Sequence, residues 1–178
     1  MPKSSAETPR EGRSVRVLIV AGPAGAGKTT VGRAAAARLG WAFVDADDYH
    51  AADSLRKMAR GEGLTDADRA PWLARLAALV CERVRAGPPT VLACSALKQR
   101  YREQLLTPGA SLVWLSVPAD VLRQRLTGRG EHVAGADLLA SQLSDAEPPV
   151  SSCAVHVVDG QQPFESVLRQ VQAAARTP

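Results

Sequence analysis

Five short, predominantly apolar runs punctuate the chain, at residues 15–20, 41–45, 90–94, 112–117 and 154–158. Each has the length of a β-strand, and none alternates apolar with polar positions as a strand with one wet face would. Helical patterns fill the intervals. An alanine-rich stretch over 29–39 closes at Gly40, and a polar helical segment follows at about 53–58. A long amphipathic helix then starts at or near Asp66, with Trp72, Leu73, Leu76, Leu79 and Val80 on its apolar face, and Gly87-Pro88-Pro89 breaks it. Strands buried on both faces and alternating with helices predict an α/β fold, in which a five-stranded parallel sheet is flanked by helices in three layers. No internal repeat or linker divides the chain, so residues 15–178 are expected to form one domain. Residues 1–14 are polar, lack the apolar core of a secretory signal and are expected to be a disordered leader.

Composition narrows the function classes. The 178 residues are 46% hydrophobic and 22% charged, and no window approaches the ~20 uninterrupted apolar residues of a membrane span. A cytoplasmic enzyme with no membrane association is expected. The net charge of +4 comes without a lysine or arginine tract, and aromatic residues are only 4%. Nucleic acid is therefore not an expected partner, and an anionic small substrate accounts for the excess equally well. Lysine is scarce: Lys3, Lys28, Lys57 and Lys98 are the whole set, and the last three fall inside the motifs below. Cys81, Cys94 and Cys153 have no metal-type spacing and are expected to be reduced, buried thiols. His156, within an apolar run, is expected to be a hydrogen-bonded structural histidine.

The sharpest local signal is Gly22-Pro23-Ala24-Gly25-Ala26-Gly27-Lys28-Thr29, which fits G-x-x-x-x-G-K-[ST] between a predicted strand and a predicted helix. Glycines let successive backbone N–H groups turn inward around phosphate oxygens, and the helix N-terminus adds its partial positive charge. Gly22, Gly25, Ala26, Gly27, Lys28, Thr29 and Thr30 are thus expected to bind ATP, with Lys28 on the β- and γ-phosphates and the Thr29 hydroxyl on Mg²⁺. The second signal is Asp45-Ala46-Asp47-Asp48 at the carboxyl end of the second strand, where open α/β sheets place their ligands. One carboxylate can support the metal while another takes the proton of an acceptor hydroxyl.

At this point the residues carry a family resemblance. Gly40-Trp41-Ala42-Phe43-Val44-Asp45-Ala46-Asp47-Asp48-Tyr49-His50, Lys57-Met58 and Gly61-Glu62-Gly63-Leu64-Thr65-Asp66-Ala67-Asp68-Arg69-Ala70-Pro71-Trp72-Leu73 resemble the gluconokinase family of P-loop kinases. So do Leu92-Ala93-Cys94-Ser95-Ala96-Leu97-Lys98, Tyr101-Arg102, Arg125, Arg129, His132, Ser141-Gln142 and Glu147-Pro148, in family order from about residue 17 to 158. The resemblance implies a shikimate-kinase-like fold with strand order 2-3-1-4-5 and a mobile lid, here approximately residues 125–142. It implies transfer of the γ-phosphoryl group of Mg²⁺-bound ATP to gluconate, and it is compatible with a homodimer.

The same resemblance suggests site residues. Asp47 is the expected base, with Asp45 and Thr29 supporting the metal, although the two aspartates can exchange roles or share them with Asp48. His50, Lys57, Arg69, Ser95, Lys98, Arg102 and His132 are expected to join Asp45 and Asp47 in lining the sugar-acid pocket, with one cation facing the carboxylate; which cation is left open. Arg125 and Arg129 are expected to reach ATP from the lid and neutralise the transferring phosphoryl group, and Gln162, in the loop after the last strand, to contact adenine. The chain also departs from the family pattern. Ala51 stands where proline is usual, Ser54 where asparagine is, Val133 where phenylalanine is, and Ser144-Asp145-Ala146 where Glu-Thr-Leu is. Two other readings remain: a kinase for another hydroxylated acid such as shikimate, and a nucleotide-dependent switch without catalysis.

Overall fold

The computed structural model describes residues 14–128 and 133–176. The strands are β1 (Val17–Ala21), β2 (Ala42–Asp45), β3 (Thr90–Cys94), β4 (Ala110–Ser116) and β5 (Val155–Asp159). The helices are α1 (Lys28–Leu39), α2 (Ala52–Ala59), α3 (Asp66–Arg85), α4 (Gln99–Leu105), α5 (Ala119–Thr127), α6 (Val133–Asp145) and α7 (Phe164–Ala174), and a 3-10 turn spans Ala46–Tyr49. The strands form one sheet in the order β2-β3-β1-β4-β5, with every pairing parallel.

The central strands β1, β3 and β4 are buried on both faces, which explains their apolar runs, whereas β2 is half-buried and β5 exposes Val157. Val17, Ile19 and Ala21 of β1 join Leu92, Leu112 and Trp114 in one core, closed by Trp72, Leu73, Leu76 and Val80 of α3 and Tyr101 and Leu105 of α4. Leu18 and Val20 face the other way, among Val91, Val113 and Leu115, under Val31 and Ala35 of α1, Leu122 of α5 and Leu168 and Val171 of α7. Period-two alternation thus divides a single strand between two cores.

Local chemistry sets the helix that matters most to the site. Thr65 caps α3: its hydroxyl accepts from the Asp68 amide at 3.1 Å, and the Asp68 carboxylate accepts from the Thr65 amide at 2.9 Å. This reciprocal box satisfies two otherwise orphaned donors. Asp68 also takes the Lys57 ammonium at 2.9 Å, and these bonds lower its pKa to about 2.

Two expectations are corrected. Of the cysteines only Cys94 is buried, while Cys81 and Cys153 are exposed, because Cys81 lies on the outer side of α3 and Cys153 in the connection ahead of β5. His156 keeps its Nε2 buried without a hydrogen-bond partner among the described residues.

Candidate active site

Parallel pairing brings the carboxyl ends of all five strands to one edge, and the candidate groups converge there. The loop after β1 runs through three glycines in the left-handed or extended positive-φ region, Gly22, Gly25 and Gly27. At Gly25 a side chain would meet the Leu122 carbonyl at 3.2 Å and Leu126 at 3.3 Å, so this turn needs glycine for both conformation and space. Lys28 Nζ donates to the Pro23 carbonyl at 2.9 Å, folded back over its own loop.

Two clefts meet on this loop. The first is lined by Gly25, Ala26, Gly27, Thr30, Arg125 and Gln162, with Phe164 and Val167 on its apolar side. Arg125 closes it by donating to the Gly160 carbonyl at 2.8 Å, which ties α5 to the loop after β5. The second is lined by Gly25 and Lys28 on one side and by Asp47, His50, Arg69, Trp72, Ser95 and Gln142 around it. Gly25 belongs to both clefts.

The turn after β2 is built around Asp45 and Trp72. Asp45 Oδ1 accepts from the Asp47 amide at 3.2 Å, while its Oδ2 accepts from the Thr29 hydroxyl at 3.0 Å. Trp72 Nε1 donates to the Ala46 carbonyl at 2.7 Å, and the His50 ring stacks on Trp72 with centroids 4.4 Å apart and planes 8° from parallel. Asp47 therefore stands on a braced turn with His50 Nε2 3.9 Å from its carboxylate. Burial raises the Asp47 pKa first, and the Asp45 carboxylate adds to this, while Lys28 opposes it. The net bias is toward taking up a proton. His50 is lowered to about 4 by burial and then by Arg69 and Arg75, so its ring is neutral at physiological pH.

Thr29 and Asp45 present a hydroxyl and a carboxylate side by side. Among the described residues there is no group of three or more His, Cys, Asp or Glu that could hold a metal ion. The pair fits Mg²⁺, which takes few protein oxygens and completes its shell with phosphate and water.

The sequence-derived set divides in the structure. Asp47, His50, Arg69 and Ser95 line the second cleft together, and Asp45 lies one hydrogen bond from the P-loop. Lys57, Lys98 and Arg102 are not among its lining residues. Lys57 is held by Asp68, and Lys98 by Asp66 and Asp145 at 3.2 and 3.1 Å. Arg102 is buried and donates to the carbonyls of Ala96, Leu97 and Glu147 at 2.7–3.0 Å. It braces a turn in which Ala96 has φ 39°, a left-handed conformation that a non-glycine residue holds only when its surroundings impose it. Arg129 and His132 lie outside the described residues. Trp72, Gln142 and Phe164 are cleft residues absent from the expected set. The first two stand in segments that carry the family resemblance, and Phe164 has no signal beyond following Gln162 closely.

The chain matches the family described as an AAA domain over residues 17–149. It is 41% identical over 162 residues to the gluconokinase of Gluconobacter oxydans (strain 621H), covering 90% of this chain and 91% of that one. A probable gluconokinase of Mus musculus is 41% identical over 152 residues, 75% of this chain and 83% of the relative. Among solved structures, a gluconokinase from Sinorhizobium meliloti 1021 superposes with a TM-score of 0.79 at 35% identity, covering 93% of each chain.

Proposed function

The chain belongs to the gluconokinase family of P-loop kinases, and from that membership we propose that it transfers the γ-phosphoryl group of ATP to the terminal hydroxyl of D-gluconate, yielding 6-phospho-D-gluconate and ADP. The observation that carries this reading is the meeting of two clefts at Gly25, with Lys28 and Asp47 in the second. Such an arrangement brings a nucleotide and an acceptor together with a cation and a base at their junction.

The nucleotide occupies the first cleft, its phosphates on the amides of Gly25, Ala26, Gly27, Lys28, Thr29 and Thr30, with the base near Gln162 and Phe164. Thr29 and Asp45 would hold Mg²⁺, which when bound would supply neutralisation of phosphate charge. Lys28 leaves the Pro23 carbonyl for the phosphates. Asp47 accepts the proton of the acceptor hydroxyl as its oxygen bonds to the γ-phosphorus and the bond to the ADP oxygen breaks. Arg125 already lies against the P-loop carbonyls of Gly25 and Ala26, in place to stabilise the transferring group. Arg129 and His132 are assigned to a lid that covers the clefts. The acceptor's carboxylate is assigned to Arg69, because Lys28 and Arg69 are the two cations among the lining residues of the second cleft and Lys28 serves the nucleotide. Reaction in the cytoplasm agrees with the use of ATP, and no described helix is long and apolar enough to cross a membrane.

A coupled assay of ADP release with Mg²⁺-ATP and a panel of gluconate, other aldonates, shikimate and glucose tests the reading. Turnover that requires gluconate is expected. Shikimate-dependent turnover would reassign the acceptor, and slow hydrolysis indifferent to every acceptor would favour the switch.

A further inference from the structure

Behind Arg69 lies a charge cluster that none of the steps above uses. It forms where the start of α3, the loop after β3 and the end of α6 converge. Asp145, the last residue of α6, accepts from Arg69 Nη1 at 2.7 Å and lies 3.1 Å from Lys98 Nζ. Lys98 also reaches Asp66 at 3.2 Å, and Asp66 takes Arg100 and the Tyr101 hydroxyl as well. Arg69 Nη1 completes the ring by donating to the Tyr101 oxygen at 3.2 Å. Three cations against two carboxylates leave the cluster one positive charge, which matches a single carboxylate in the adjoining cleft.

Arg69 is only 8% exposed, yet it forms part of the cleft wall. Among the described residues, its side-chain hydrogen bonds both leave from Nη1. Nε and Nη2 therefore remain as the donors with which this wall can meet a ligand, and that edge of a guanidinium is the one suited to a bidentate carboxylate. A second contact comes from the same helix. Gln142, three residues before Asp145 and so on the same side of α6, accepts from the Ala24 amide of the P-loop at 2.7 Å.

We infer that Asp145 is a positioning residue for the acceptor's carboxylate: by holding Nη1 of Arg69 and the ammonium of Lys98 it fixes the guanidinium with its free edge toward the cleft. Because α6 also rests on the P-loop through Gln142, Arg69 is set in register with the phosphate-binding loop. The inference rests on the sugar-acid reading of the second cleft. Asp145 falls in one of the segments that departs from the family pattern, so the device belongs to this chain's own residues.

Steady-state kinetics of Asp145→Ala, Asp145→Asn and Asp145→Glu, with gluconate and with glucitol, test it. Glucitol offers the same row of hydroxyls without the carboxylate, and serves as a competitor of gluconate where it is not itself turned over. Asp145→Ala should raise KM for gluconate about tenfold. Its kcat and KM for ATP should stay within about twofold of wild type and its affinity for glucitol should be unchanged, so that preference for the acid collapses. Asp145→Glu should restore most of that preference, and Asp145→Asn, which keeps the shape while losing the charge, should behave like Asp145→Ala. Parallel losses in kcat, ATP affinity and glucitol affinity would overturn the inference and leave Asp145 as a structural anchor of α6. A fall in KM for gluconate would also overturn it, by showing that Asp145 competes with the substrate. Wild-type protein that ignores gluconate overturns the acceptor reading itself, and this is seen before any variant is compared.

Discussion

Asp47 and His50 stand three residues apart on one turn and are tuned in opposite senses. Replacing Asp47 with asparagine keeps the turn and removes the proposed proton acceptor, so kcat should fall at least about 100-fold while ATP affinity hardly changes. Equal loss of both in a nucleotide-binding titration would instead assign Asp47 to the metal. Since burial and Asp45 raise its pKa, the acid limb of kcat/KM should lie above the range of an ordinary carboxylate. His50 is lowered to about 4, against about 6.5 in an unfolded chain. Between those values the unfolded chain binds a proton that the folded one refuses, so stability rises with pH through the window and is lost as pH falls from about 6.5 to about 4. The full effect is at most ~3 kcal/mol. Thermal unfolding at pH 7 and pH 4.5 should show a smaller gap for His50→Gln than for wild type; an undiminished gap would place the acid lability elsewhere.

Among the elements, strands were the most legible because each is a mainly apolar run, and β3 falls on the predicted residues 90–94. Ends shifted elsewhere by a residue or two, where apolar loop residues prolong the pattern. Helix α6 was less legible: the segment expected to form a lid lies partly outside the described residues, and α6 spans Val133–Asp145. Side-chain direction was hidden too. Lys57, Lys98 and Arg102 stand in the expected segments, yet Lys57 is claimed by Asp68, Lys98 by Asp66 and Asp145, and Arg102 by the carbonyls of Ala96, Leu97 and Glu147. The loop after β5 offers a test at this scale. A Cβ on Gly160 would lie 2.6 Å from a Val117 methyl, and the Gly160 carbonyl anchors Arg125. Gly160→Val should therefore raise KM for ATP about tenfold or more while leaving KM for gluconate near wild type. Equal effects on both substrates in initial-rate kinetics would mean that the loop serves the whole site.

At the scale of the molecule, the strand order puts β1 at the centre of the sheet, between β3 and β4. The P-loop thus issues from the best-buried strand, and the two clefts lie on either side of it. Ligand binding should consequently stabilise the whole domain. At an ATP concentration about 100 times its Kd, with Mg²⁺, binding adds about 2.7 kcal/mol and should raise Tm by about 5–10 °C. Chelating the metal should remove most of that shift in a thermal-denaturation assay, and a shift indifferent to chelation would separate nucleotide binding from the Thr29–Asp45 pair.

The central position of β1 also bears on how the chain is made. Val17 pairs with Thr90 and with Ala110, so β1 lacks these partners until about seventy more residues have been synthesised. At about 5–20 residues per second that interval lasts about 4–15 s. Throughout it, an apolar strand stands unpaired beside a phosphate-binding loop that has nothing to anchor it. A nascent chain arrested before β3 is thus the form most in need of a chaperone, and the rate of translation between the first and third strands sets how long that need lasts.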